Sequence, residues 1–145
     1  RRRRGERLLV MAPHPFFPKR TCLRGKLTRH IGLFDALELC HMRMGRLDFN
    51  RKAMELAREK GLPIVATSDV HDLRFFGRNY ARIGAAEKTV FAVFEAIRAG
   101  RVENIAAPYA AEQFAGMTWK VLEQGIKRGM RRVGFFGGYP RRGGH

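Results

Sequence analysis

The sharpest boundary between apolar and polar positions in this chain lies within residues 62–72, LPIVATSDVHD. The apolar, β-prone run IVA at 64–66 ends abruptly in SDVHD. Such a run predicts a buried strand over 64–68 whose carboxyl end opens onto a polar site. Asp69 and His71 are two residues apart, so in extended backbone their side chains project to the same side. A carboxylate and an imidazole placed in this way form half of a divalent-metal site.

The residues before this strand have helical spacing. Over 51–60, apolar side chains recur on one face, with charged residues opposite them. Asn50 is a predicted N-cap of this helix. Gly61 is predicted to end the helix as the C′ residue, and Pro63 prevents its continuation. The strand at 64–68 then follows at once.

Other apolar runs and segments with helical spacing follow the same rules along the chain. They predict strands at 8–12, 34–40 and 80–85, and helices at 22–30, 88–99 and 111–129. Residues 102–107 are expected to form either a last strand or an extended return. A strand–helix–strand order with short connections is typical of a parallel sheet. The expected fold class is therefore α/β.

A second apolar strand, 8–12, also stops at a histidine. His14 lies between Pro13 and Pro15, and each proline restricts the backbone on its N-terminal side. This arrangement presents the imidazole stiffly, as a metal ligand requires. Either motif alone is a weak indication of metal binding. Two strands that both end in this way make a metal site a stronger prediction than either motif does alone.

The strand at 34–40, FDALELC, alternates so that Phe34, Ala36 and Glu38 share one side. A buried Glu38 needs a partner for its carboxylate, either beside a metal cluster or from a basic neighbour. His41 lies just beyond this strand. Because parallel strands end at one edge, His41 is also a candidate for the site.

These motifs, taken in order, resemble a known family. APHPFFPKR, FDALEL, NRKAMELAREKGLPIVATSDVHD and FFGRNYARIGA are similar to the second half of a PHP domain, the metal-dependent phosphoesterase family named for polymerase and histidinol phosphatase. The resemblance covers residues 8–100. It implies part of a distorted (β/α)7 barrel with parallel strands and a cluster of two or three metals at the strand ends. The implied reaction is hydrolysis of a phosphate ester by metal-activated water.

The resemblance also implies roles for individual residues. His14, Asp69 and His71 correspond to metal ligands and so to catalytic residues, with zinc, manganese or iron as the metal. Asp72 is expected to orient His71, since metal-bound histidines usually donate their other N–H. Arg74 and Arg78 are expected near the substrate phosphate, and Glu38 and His41 behind the ligands. The substrate can be a phosphorylated small molecule or a nucleic acid.

The chain departs from the family pattern in two respects. The family's domain opens with an H-x-H strand end, a D-H pair and a further glutamate, and the sequence contains none of these. We therefore expect the first half of the barrel to be missing, and this fragment alone to be inactive. The length agrees, because 145 residues are fewer than the roughly 200 that a (β/α) barrel takes. In addition, His41 stands where relatives often carry an asparagine.

The net charge of +16 is concentrated at the two ends of the chain. Residues 33–112 contain 12 Lys or Arg against 11 Asp or Glu, whereas the flanks contain 17 and 2. Basic flanks attract phosphate, nucleic acid or an anionic membrane surface. The alternative to an enzyme is therefore a non-catalytic basic module, and a merely solvated tail explains the charge equally well.

We expect two domains: a PHP-type part over 1–108 and a basic helical extension with a tail over 109–145. No apolar run reaches the roughly 20 residues that span a bilayer. Cys22 and Cys40 have neither the spacing of a metal pair nor that of a disulfide framework. A reduced, cytoplasmic location is expected. The oligomeric state stays open.

Overall fold

A computed structural model describes residues 8–70 and 73–132. The chain divides into two compact units, Arg1–Tyr109 and Ala110–His145. The strands and helices of the first unit follow the order β1 (Met11–Ala12), α1 (Gly25–Arg29), β2 (Ala36–Leu39), β3 (Arg43–Met44), β4 (Leu47–Asp48), α2 (Arg51–Lys60), β5 (Ile64–Ala66), β6 (Asn79–Ile83), α3 (Val90–Arg98) and β7 (Val102–Ala106). Short 3₁₀ turns occupy Ile31–Leu33 and Leu73–Phe75.

The centre of the first unit is a parallel sheet with the order β1-β2-β5. Met11 pairs with Ala36, and Leu39 pairs with Ala66, so the three strands end at the same edge. This confirms the α/β class and the parallel arrangement of the three strands. The described residues do not show closure into a barrel.

The middle strand β2 is buried along its whole length rather than on one side. Leu37 packs in a core with Leu27 of α1 and Leu56 of α2, whereas Ala36 packs with Ile97 of α3. Helices therefore cover both faces of the sheet, as is usual for parallel sheets. An alternating strand that is covered on both sides buries polar and apolar positions alike, which places Glu38 in the interior.

Helix α2 has the predicted bounds and ends at Gly61, whose φ of 63° is left-handed. Glycine adopts this conformation without steric cost, so it suits the helix end. Asn50 occupies the N-cap position, as predicted, but its side chain makes no capping hydrogen bond. It bonds instead to the backbone N–H and C=O of Cys40, at 2.6 and 3.0 Å.

Strands β6 and β7 pair antiparallel, with α3 between them in the chain, whereas the resemblance implied parallel strands throughout. The amide of Asn104 on β7 connects this antiparallel pair to β5. Its Oδ1 accepts from the Ala66 N–H at 2.6 Å, and its Nδ2 donates to the Ile64 carbonyl at 2.9 Å. The side chain thus replaces a strand ladder on that side of β5. The short antiparallel pair β3–β4 was not predicted.

In the second unit, the structure describes one helix, α4 (Ala111–Arg132). It continues three residues beyond its predicted end. Within residues 8–70 and 73–132, no helix combines the length and apolar character needed to cross a bilayer.

Candidate functional site at the strand ends

The candidate site lies at the edge where β1, β2 and β5 end. His14 follows β1, His41 follows β2 and Asp69 follows β5. Parallel pairing brings the three chain segments to one side of the sheet, as the sequence predicted. His71 and Asp72, the remaining residues of the SDVHD motif, lie outside the described residues.

Glu38 connects two of the strand ends. It is 4% exposed, accepts a hydrogen bond from the His14 backbone N–H through Oε2, and accepts another from the Thr67 hydroxyl through Oε1. The buried carboxylate is therefore satisfied by two neutral donors, the His14 N–H and the Thr67 hydroxyl, which come from the segments on either side of β2. Glu38 is therefore bonded to the backbone of His14 and to the side chain of Thr67, which directly precedes Ser68 and Asp69 in the chain.

Two of the predicted ligands have unusual backbone conformations. His14 has a φ of 26° and Asp69 has a φ of 40°, and Arg24 is the third non-glycine residue with positive φ among those described. Such conformations are costly for residues with a Cβ, and they cluster at functional sites where surrounding contacts enforce them. Backbone strain therefore occurs at His14 and Asp69, the two described residues that the sequence motifs predicted as metal ligands.

His41 is close to Asp69. The Nδ1 atom of His41 lies 3.9 Å from Oδ2 of Asp69, and the His41 side chain is largely buried. The Asp69 carboxylate is one-third exposed, so a ligand from solvent can reach it although an imidazole lies beside it. At 3.9 Å the two atoms are farther apart than in a hydrogen bond, so the pair is a close contact between neighbouring strand ends.

His14 has a partner that sequence reasoning missed. Its Nδ1 atom lies 3.2 Å from Sγ of Cys22, which is buried. Seven residues of irregular loop separate the two, and no periodic pattern pairs positions across such a loop. Only the folded loop brings the thiol to the ring.

Cys40 shows how closely these groups gather. Burial raises the pKa of its thiol to about 12, the Met42 backbone N–H opposes the rise, and Glu38, Cys22 and Asp69 add to it. Groups from β2, from the loop between β1 and α1, and from the segment after β5 therefore lie around one buried thiol. Both cysteines are free.

Tyr109 forms one wall beside the site. It is 4% exposed, packs edge-on against His41 and Phe75, and lies beneath the Arg78 guanidinium, whose carbon is 5.1 Å from the ring centroid. Burial raises the pKa of the Tyr109 hydroxyl, while Arg78 and Asn79 oppose the rise. No motif marked Tyr109, because it follows β7 outside any periodic element.

The two arginines proposed for phosphate contact differ in position. Arg78 donates through Nη2 to the Pro108 carbonyl at 2.9 Å, so it is anchored beside Tyr109 and His41. Arg74 is exposed, and its guanidinium carbon lies 5.8 Å from the centroid of the Phe75 ring. Arg78 is therefore the better placed of the two to act at this edge.

Within residues 8–70 and 73–132, no three His, Cys, Asp or Glu side chains are grouped so as to hold a metal ion. The predicted ligand set includes His71, which is outside those ranges. The donor chemistry nevertheless suits a divalent metal, since the His14 imidazole and the partly exposed Asp69 carboxylate follow β1 and β5, which end at one edge of the sheet. The metal set stays a prediction.

Comparison with protein-family models matches part of the chain. Residues 48–102 are similar to the family model PHP_C, described as PHP-associated. The match covers less than half of the chain and is consistent with a PHP-related region over these residues. The match contains Asp69, Arg74 and Arg78, whereas His14, Glu38 and His41 precede it. Neither the curated proteins nor the solved structures gave a significant match to the chain.

Proposed function

We propose that the strand-end site serves metal-dependent hydrolysis of a phosphate ester. The observation that carries the proposal is the left-handed backbone of both His14 and Asp69 at the carboxyl ends of strands in one parallel sheet. The PHP-related region, which includes Asp69, supports the same reaction class.

His14, Asp69 and His71 are the residues that would hold the metal. A bound divalent ion would polarise the phosphoryl oxygen and lower the pKa of a water molecule. The protein's own contribution is positioning. Glu38 fixes the backbone of His14, and the His41 ring lies beside the Asp69 carboxylate. Arg78, anchored at Pro108, supplies a fixed cation for the charge of a substrate phosphate.

The experiment is metal uptake combined with turnover. Purified chain is incubated with zinc, manganese or iron, and bound metal is measured by elemental mass spectrometry beside hydrolysis of p-nitrophenyl phosphate. We expect bound metal in the unaltered chain and its loss in Asp69→Ala, whereas Glu87→Ala, which changes an exposed carboxylate, keeps it. A chain that takes up none of the three metals contradicts the proposal.

A second candidate function concerns α4, described by itself. Trp119, Leu122 and Ile126 are exposed by 66%, 55% and 51%, and their spacing places them on one face. Residues 110–145 contain seven Lys or Arg and two Asp or Glu. A helix with an apolar stripe and cationic surroundings suits the surface of an anionic membrane.

This candidate is tested by sedimentation with vesicles. Binding to vesicles that contain phosphatidylserine, but not to neutral vesicles, supports the membrane role. Binding that occurs only with RNA, and that weakens steeply with salt, would indicate nucleic acid instead. Absence of binding to the anionic vesicles contradicts the membrane role.

A further inference from the structure

The thiol of Cys22 is held against His14 by the fold of the loop between β1 and α1. The Phe17 N–H donates to the His14 carbonyl at 3.1 Å, and the Cys22 N–H donates to the Lys19 carbonyl at 3.0 Å. The Arg24 N–H then closes the loop onto the Pro15 carbonyl at 2.7 Å. Backbone bonds therefore set the 3.2 Å separation between Cys22 Sγ and His14 Nδ1.

The His14 residue is thus constrained at two points. Its backbone N–H is bonded to Glu38, and its Nδ1 faces the sulfur, which is buried at 8% exposure. Phe17 packs edge-on against the ring, with centroids 6.3 Å apart. Within the described residues, the ring nitrogen that makes no hydrogen bond is Nε2.

The sulfur decides which nitrogen is available to a metal. A neutral imidazole carries one N–H and one lone pair, and only the lone pair can bind a metal ion. Because Cys22 occupies the space at Nδ1, a metal at His14 must bind Nε2. The proton must then be on Nδ1, where the sulfur is the acceptor. Metal-binding histidines commonly direct their second N–H to an acceptor in this way.

We propose that Cys22 is a positioning residue for His14: its sulfur accepts the Nδ1–H, which selects the tautomer and leaves Nε2 for the metal. This inference rests on the proposed function for its purpose, but the contact itself is testable without metal. A thiol that donates its proton to Nδ1 would leave the hydrogen on Nε2 and block the ligand, so the two arrangements have opposite consequences.

The test reads the tautomer directly. Long-range ¹H–¹⁵N NMR on the metal-free, histidine-labelled chain at about pH 8, where ordinary imidazoles are neutral and ordinary thiols are mostly protonated, identifies which nitrogen of His14 is protonated. We expect the Nδ1–H form in the unaltered chain and in Cys22→Ser, whose hydroxyl oxygen also accepts. Cys22→Ala should lose this bias, while Cys40→Ala, a matched change of the other buried cysteine, should keep it.

Zinc titration gives the second readout. Loss of an acceptor behind a metal-binding histidine typically weakens binding about 10- to 100-fold. We expect that loss in Cys22→Ala, recovery in Cys22→Ser and no change in Cys40→Ala, with circular dichroism verifying that each variant is folded. If Cys22→Ala does not fold, the zinc affinity and tautomer of Cys22→Ser decide the test.

The outcomes separate the two proposals. An Nε2–H tautomer in the unaltered chain, an imidazolium paired with a thiolate, or equal tautomer populations in the unaltered chain and Cys22→Ala would overturn the role of Cys22. An Nδ1–H tautomer that depends on Cys22, in a chain that binds no metal, would support the contact and contradict the proposed function.

Discussion

The buried carboxylate of Glu38 on β2 accepts a hydrogen bond from the backbone N–H of His14, the residue at the end of the neighbouring strand segment. Its second oxygen accepts from Thr67, which follows β5 on the other side. One acidic side chain in the middle strand therefore joins the two segments that carry His14 and Asp69. It stabilises the sheet edge and organises the site at the same time.

We expect Glu38→Gln to lower the free energy of unfolding by roughly 2 kcal/mol, because an amide has one acceptor oxygen where two donors must be satisfied. Urea denaturation measures the change, with the dependence on denaturant unaltered. Glu103→Gln is the control, since Glu103 is exposed and pairs with Arg82 at the surface. Equal stability of Glu38→Gln and the control would show that the two hydrogen bonds contribute nothing.

The backbone at Asp69 predicts an order of stability between two variants that both lack the carboxylate. Asp69→Gly should be more stable than Asp69→Ala by about 1 kcal/mol, because only glycine adopts a positive φ without a Cβ clash. Both variants should fail to take up metal. Thermal and urea unfolding measure the difference.

The same pair of substitutions at Glu55, in the middle of α2, is the control and should give the opposite order. In an exposed helical position, alanine is more stable than glycine by about 1 kcal/mol. If glycine is the less stable residue at both positions, the left-handed conformation of Asp69 is refuted.

The raised pKa of Cys40 predicts a loss of stability in alkali. Its thiol has a pKa of about 12 in the folded chain against 9.0 ordinarily, so between those values the unfolded chain releases a proton that the folded chain keeps. The folded state binds more protons there, and stability falls as pH rises from about 9 towards 12, by up to about 1.4 kcal/mol per pH unit. Below pH 9 this contribution is constant.

Comparison with Cys40→Ala isolates that effect from other groups that ionise in alkali. The variant should lose less stability than the unaltered chain between pH 8 and pH 11, as measured by urea denaturation at each pH. Iodoacetamide at pH 8 should also modify the folded chain slowly at Cys40, since the thiolate is the reactive form. Parallel pH profiles for the two proteins would rule out the raised pKa.

Trp119 reports on the membrane role of α4, because it is the only tryptophan in the chain. Adding vesicles that contain phosphatidylserine should shift its fluorescence to shorter wavelength as the exposed ring enters the headgroup region. Leu122→Ser with Ile126→Ser should reduce the shift, whereas Leu33→Ser, a change of an exposed leucine elsewhere, should not. An emission maximum that vesicles leave unchanged argues against membrane contact.

The sequence by itself determined the elements with strong local signals. Residues 51–60 form the predicted helix because apolar spacing, Gly61 and Pro63 all act within a few residues of each other. The apolar run before SDVHD forms a strand, and the strand–helix–strand order places β5 parallel to β2. The strand ends therefore meet at one edge, and Asp69 is placed beside His41 without any long-range information in the pattern.

Only the tertiary structure decided the contacts that cross irregular chain. Asn50 was predicted as a helix cap from local propensity, but the fold offers it both backbone groups of Cys40, and two hydrogen bonds displaced the one expected. Cys22 contacts His14 because the loop between them closes on itself, and Asn104 contacts β5 because the antiparallel pair of β6 and β7 packs there. Periodicity carries information about the faces of regular elements. These partners instead depend on the final positions of loops and of strands distant in sequence, which follow from packing of the whole chain.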